Sequence, residues 1–132
     1  MVAMPRYEVI VNTSVTDRPK DHEMKAALIV ANNHFRADVV FLRPEIYKTP
    51  DLEVSSVKWE LKSPLGQGKK TIENNMRAAR RQSKNLIIDF GRMKLHQTKA
   101  LTNIRYYIQK YPRQFERIII ITKSGEIIEI LG

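Results

Sequence analysis

The chain has 132 residues, 42% of them hydrophobic, no cysteine, and 23 Lys and Arg against 14 Asp and Glu, for a formal charge of +9 and a pI near 9.9. That is the length of a single domain, 1–132, with enough apolar residues for a core. Disulfides, thiolate metal sites and a cysteine nucleophile are excluded, no apolar run reaches the roughly 18 residues of a membrane span, and the basic balance calls for an anionic partner, nucleic acid first and a membrane surface second.

Residues 1–6 are expected to be a flexible or introduced start, without the n-region and h-region of a signal peptide. Tyr7 to Val11 reads as a short strand. Thr13 to Lys20 is a polar turn region. From Pro19 to Asn33 the pattern is helical. Pro19 suits a first turn, Asp21 and Glu23 favour the positive end of the helix dipole, and Met24, Ala27, Leu28 and Ala31 form an apolar stripe.

Asp38 to Leu42 is a β-rich apolar run that breaks at Pro44. Lys48 to Ser56, with Pro50 and mixed polar residues, reads as a loop or a weak hairpin extension. Val57 to Ser63 is the strand on which the chemistry is expected. At period two, Val57, Trp59 and Leu61 face one way, and Lys58, Glu60 and Lys62 the other. Pro64 cannot donate to a ladder and closes the strand. If this strand pairs antiparallel with the Asp38 strand, Asp38 lies beside Lys62 and near Glu60.

Leu65-Gly66-Gln67-Gly68 is a flexible connector, too sparse in pattern for a phosphate-binding loop. Lys69 to Lys84 reads as a helix with Ile72, Met76, Ala79 and Ser83 inward and Lys69, Lys70, Arg77, Arg80 and Arg81 outward. Leu86 to Phe90 is a short apolar strand, so strand, helix and strand predict a right-handed parallel crossover. Gln97 to Lys110 is a further helix, with Ala100, Leu101, Ile104 and Ile108 inward, ended by Pro112. Ile118 to Ile121 is a buried strand, and Glu126 to Leu131 returns as an edge strand after a Ser124-Gly125 turn. The expected class is α/β (α+β mixed sheet), with about three helices around a mixed β-sheet.

Two carboxylates, Asp38 and Glu60, with Lys62 between them form a donor set for a hard divalent cation such as Mg2+. A cation there would activate water, and Lys62 would steady charge on a phosphate. The bland alternative is a surface salt bridge on an exposed strand face. Glu23 is either a further ligand or a helix N-terminal charge. From Lys58 to Lys84 there are eight basic residues and two acidic ones, a net +6 beginning at the proposed site. Lys69, Lys70, Arg77, Arg80 and Arg81 are therefore candidate phosphate contacts, against the alternative of an ordinary solvated helix face. His96 and Thr98 stand at a helix entrance, where they either cap the helix or serve metal-free RNA cleavage. His22 and His34 have no ligand-like spacing. Trp59 reads as core. Tyr106, Tyr107 and Tyr111 read chiefly as helix packing, with base stacking as the alternative.

Ala37-Asp38, Trp59-Glu60-Leu61-Lys62-Ser63-Pro64, Gly68-Lys69-Lys70-Thr71-Ile72, and Gln82-Ser83 before Asn85-Leu86-Ile87-Ile88-Asp89 together resemble the CdiA C-terminal tRNA nuclease domain of contact-dependent growth-inhibition and related polymorphic toxins. The likeness runs from about His22 to Leu131. It implies a PD-(D/E)XK-like core. Asp38, Glu60 and Lys62 then fall on the metal and phosphate positions, Gln82 on a helix glutamine and Glu23 on a first-helix acid. It further implies a toxin that hydrolyses RNA, tRNA in particular, with a divalent cation in the target-cell cytoplasm, and a cognate immunity protein. The departure is Ala37, where the name-giving motif has proline. Two alternatives stay open: a metal-independent toxin RNase of the barnase, EndoU or RelE kind, using His96, Thr98 and Lys62, and a non-enzymatic basic nucleic-acid-binding module.

Overall fold

The structure, a computed structural model, describes residues 6–43 and 51–132. Residues 1–5 of the expected 1–6 start, the break at Pro44 and the Lys48–Pro50 part of the expected loop or hairpin extension lie outside the described residues, while the Arg6 amide is held by Asn32 Oδ1 at 2.7 Å.

Among the described residues seven strands form one mixed sheet: β1 (Val9–Val11), β2 (Val39–Phe41), β3 (Leu52–Val54), β4 (Val57–Lys62), β5 (Asn85–Asp89), β6 (Arg117–Ile121) and β7 (Ile127–Leu131). They lie side by side in chain order. β1 and β2 are parallel, β2, β3 and β4 run as an antiparallel meander, β4, β5 and β6 are parallel, and β7 returns antiparallel at the edge. Among the described residues three α-helices cover the sheet: α1 (Asp21–Val30), α2 (Thr71–Arg80) and α3 (Gln97–Lys110). No helix among the described residues is long and apolar enough to cross a membrane.

Each face of the sheet has its own core. On one face α2 and α3 bury Ile72, Met76, Ala79, Ala100 and Ile104 against Leu86, Ile88, Ile118 and Ile120. On the other α1 buries Ala26, Ala27 and Val30 against Trp59, Leu61, Ile87, Ile119 and Ile121. Strands covered on both sides are apolar toward both faces, as Leu86–Ile88 of β5 and Ile118–Ile121 of β6 are. The crossover from β4 through α2 to β5 is parallel as its pattern predicts.

The difference from expectation lies between β2 and β4. The stretch read as a loop or a weak hairpin extension contains β3, which pairs with both neighbours, so the hairpin alternative holds. A two-residue turn, Ser55-Ser56, joins β3 to β4 with positive φ at both residues, 48° and 70°. That is the geometry of a tight hairpin turn normally supplied by Asn or Gly, and two serines do not announce it. The expected direct pairing of β2 with β4 is thereby ruled out. The helix expected over Lys69–Lys84 is shorter at both ends, and Ser83 lies past α2, where its hydroxyl donates to the Lys58 carbonyl at 3.0 Å.

Candidate active site

On β4 the alternation holds, but the middle of the polar row is buried: Lys58 is exposed and Lys62 half-buried, while Glu60 is covered. Glu60 is adjacent to Leu86 of β5, so its side chain enters the α2 face of the sheet, where only 2% of it is exposed. Lys62, two residues on, shares that face, and its Nζ lies 3.2 Å from Glu60 Oε2. Glu60 Oε1 is buried with no hydrogen-bond partner among the described residues.

The carboxylate that meets this pair is Asp51. In the β3–β4 register Leu52 faces Trp59, which sets Asp51 opposite Glu60. Asp51 Oδ2 accepts from the Leu61 amide at 3.0 Å, taking the place of a ladder carbonyl just where β3 begins. Burial, together with the facing Asp51 charge, pushes the Glu60 carboxyl up to about 8, and Lys62 offsets part of this. Burial also raises Asp51, against the bond from Leu61. A buried carboxyl packed against a half-buried one favours retaining a proton, because both cannot ionise cheaply.

Asp38 is not in this group. With β3 intervening, the ladder sets Asp38 at the Ser55 end of the meander and Glu60 at the Asp51 end. Four residues and two strand spacings put the two roughly 15 Å apart. Asp38 Oδ1 instead accepts from the Glu8 amide at 2.9 Å and fastens β1 to β2. Glu23 lies near enough to add a small charge effect on Asp51, but its Oε1 accepts from the Lys20 amide at 2.8 Å and caps α1. The proposed trio Asp38, Glu60 and Glu23 is therefore not brought together, and among the described residues no three His, Asp or Glu side chains form a metal-ligand cluster.

Gln82 lies just past α2, its Oε1 buried and without a partner among the described residues. Lys69, Lys70, Arg77, Arg80 and Arg81 are all exposed on the α2 side, and Arg77 is held by Glu73 at 2.9 Å. His96 is the N-cap of α3, its Nδ1 accepting from the Thr98 amide at 3.3 Å. That is the capping alternative. Tyr107 packs on Tyr111 with centroids 4.9 Å apart, while Tyr106 stands exposed.

One residue went unrecognised in the sequence. Asp51 is preceded by Pro50 and stands nine positions before Glu60. A proline–acid pair followed by Glu-x-Lys was present in full, but one hairpin later than the Ala37-Asp38 pair.

The family described as "Contact-dependent growth inhibition CdiA C-terminal domain" matches residues 48–127, which contain Asp51, Glu60, Lys62 and all of α2. The chain belongs to that family. Among solved structures, a chain of the CdiA-CT/CdiI toxin and immunity complex from Burkholderia pseudomallei is similar with a TM-score of 0.65 at 20% identity, covering 95% of this CdiA C-terminal domain and 99% of that chain. A likeness at that identity carries the fold. A search of curated proteins returned no significant match.

Proposed function

We propose that this domain is a toxin nuclease that hydrolyses RNA, tRNA in particular, with a divalent cation, and that Asp51, Glu60 and Lys62 carry the chemistry. The observation that carries the proposal is the buried Glu60 facing the half-buried Asp51, with Lys62 at its side. An apolar sheet interior does not tolerate two carboxyls without a compensating group. Lys62 supplies one positive charge, and Glu60 Oε1 still lacks a partner among the described residues.

The donor set fits a small hard cation. Mg2+ is usually held by one or two carboxylates, with the substrate phosphate completing the shell. Asp51 and Glu60 would hold it, and when bound it would supply an activated water and neutralise charge developing on the phosphate. The Leu61 amide fixes the Asp51 carboxylate. Lys62, its Nζ 3.2 Å from Glu60 Oε2, would steady the charge that a phosphate oxygen gains. Glu60, which keeps a proton near neutral pH, would release it as the cation binds, because a ligand carboxylate must be ionised. The exposed cations of the α2 side, Lys69, Lys70, Arg80 and Arg81, give the RNA backbone a path on the same face.

Toxin action in a target-cell cytoplasm and an immunity-protein partner are proposed from the family, and tRNA as the substrate from the sequence resemblance. The structural neighbour was solved as a toxin and immunity complex. The test is incubation of total tRNA with the purified chain, with Mg2+ or with EDTA. Cleavage that disappears with EDTA supports the proposal. Cleavage that persists in EDTA contradicts the metal, and binding without any cleavage contradicts the nuclease.

A further inference from the structure

On the other face of the sheet, against α1, lies a cavity of about 460 Å3 at the carboxyl ends of β5 and β6. Its volume is within the range of small-ligand sites, about 300–1,000 Å3. Lys25 of α1, Arg92 after β5 and Lys123 after β6 line it, and His22 stands one helical turn before Lys25. These three cations come from separate segments that the fold brings to one opening. Among the described residues, none of the three has a carboxylate within 4.0 Å.

The single acid of the lining among the described residues is Asp89, which is 7% exposed. Its Oδ1 is occupied by the Gly91 amide at 2.9 Å, so it shapes the turn after β5. Three cations and one carboxylate leave +2 at neutral pH, with His22 uncounted. Lys25, Arg92 and Lys123 are exposed at the opening, and like charges gathered around one concave opening attract an anion that offsets their repulsion. Arg92 is held at the mouth by donating from Nη2 to the Ser63 carbonyl at 3.3 Å, which leaves most of its guanidinium donors free for another acceptor. The floor, formed by Ala26, Ile29 and Ile121, is apolar.

We propose that this cavity is a second ligand site, distinct from the Asp51–Glu60 pair, and that it takes the phosphate of a nucleotide, with sugar or base on the apolar floor. A planar guanidinium flanked by two ammonium groups suits a phosphate ester, whose charge matches the local excess, better than a single carboxylate. Ser63 follows Lys62 directly, so Arg92 joins the two sites through the end of β4 although they open on opposite faces. The phosphate could belong to a polynucleotide strand or to a free nucleotide, and the site chemistry is the same for both.

The test is a backbone-amide NMR titration of the full chain in EDTA with inorganic phosphate, a 5′-mononucleotide and a single-stranded trinucleotide. The expected result is that the mononucleotide shifts the amides of Gly91, Thr122 and Gly125, and that Arg92→Gln with Lys123→Gln weakens binding tenfold or more. A trinucleotide that binds more tightly than the mononucleotide assigns the site to a strand, and equal binding assigns it to a free nucleotide. Absence of shifts at these amides with all three probes, or an unchanged affinity in the double variant, overturns the proposal. Should the double variant melt early, Lys25→Gln alone is read the same way. The titration contains no cleavage step, so a chain that binds here but cuts no RNA refutes the nuclease and leaves this site standing.

Discussion

β4 and β6 are both buried strands of one sheet, yet they are built on different rules. Ile118 to Ile121 of β6 are apolar toward both faces, as a doubly covered strand requires. Trp59, Glu60 and Leu61 of β4 are as deeply buried, but the middle residue is an acid facing another acid. The first strand is explained by packing alone. The second opposes packing, and departures of that kind concentrate at functional sites.

The sharpest way to break the comparison is to place an acid in β6. Ile120→Asp puts an unpaired carboxyl in the α2–α3 core, with no Lys62 and no facing Asp51. It should cost more than about 4 kcal/mol and leave the chain unfolded at room temperature. A cooperative melt near that of the parent chain would show that the sheet tolerates buried acids generally, and Glu60 would then signal nothing.

A smaller effect is expected from pH. Glu60 titrates near 8 when folded and near 4.5 in an ordinary setting. Between those values the folded chain binds more protons than the unfolded one, so stability falls as pH rises from about 4.5 to about 8. Asp51, also raised, acts in the same direction. Thermal melts from pH 5 to 8.5 in EDTA should show this decline, and Glu60→Gln should flatten it. Adding Mg2+ at pH 8 should raise the melting temperature of the parent and not of Glu60→Gln. Equal pH slopes in the two proteins would mean that the Glu60 carboxyl is not held as described.

The smallest effect belongs to His96. It caps α3 at the surface, so His96→Ala should cost about 0.5–1 kcal/mol and lower the melting temperature by about 2–5 °C, with RNA cleavage kept near the parent rate. A folded His96→Ala that cuts no RNA would move the chemistry to the α3 entrance.

Much of this was readable in the residues. The stripe Ile72, Met76, Ala79 gave α2, the spacing Ala100, Ile104, Ile108 gave α3, and Pro112 marked its end. The continuous apolar runs gave β5 and β6, and Glu60 and Lys62 stood out from their alternation. What stayed hidden was β3. Three residues are too few for a periodic signal, and a Ser55-Ser56 turn lacks the Asn or Gly that would mark a two-residue hairpin. Missing that one strand shifted the partner of Glu60 from Asp51 to Asp38. The basic cavity was equally invisible, because Lys25, Arg92 and Lys123 are far apart in the chain and meet only through the parallel crossover.

The central claim is that Asp51, not Asp38, completes the site with Glu60. The direct measurement is the single-turnover rate of tRNA cleavage in Mg2+ for Asp51→Asn and Asp38→Asn side by side, each checked by thermal melt. The account predicts that Asp51→Asn remains folded and loses on the order of 10³-fold in rate, the scale of removing one transition-state contact, while Asp38→Asn cleaves near the parent rate. A fully active Asp51→Asn beside a folded, inactive Asp38→Asn would contradict it.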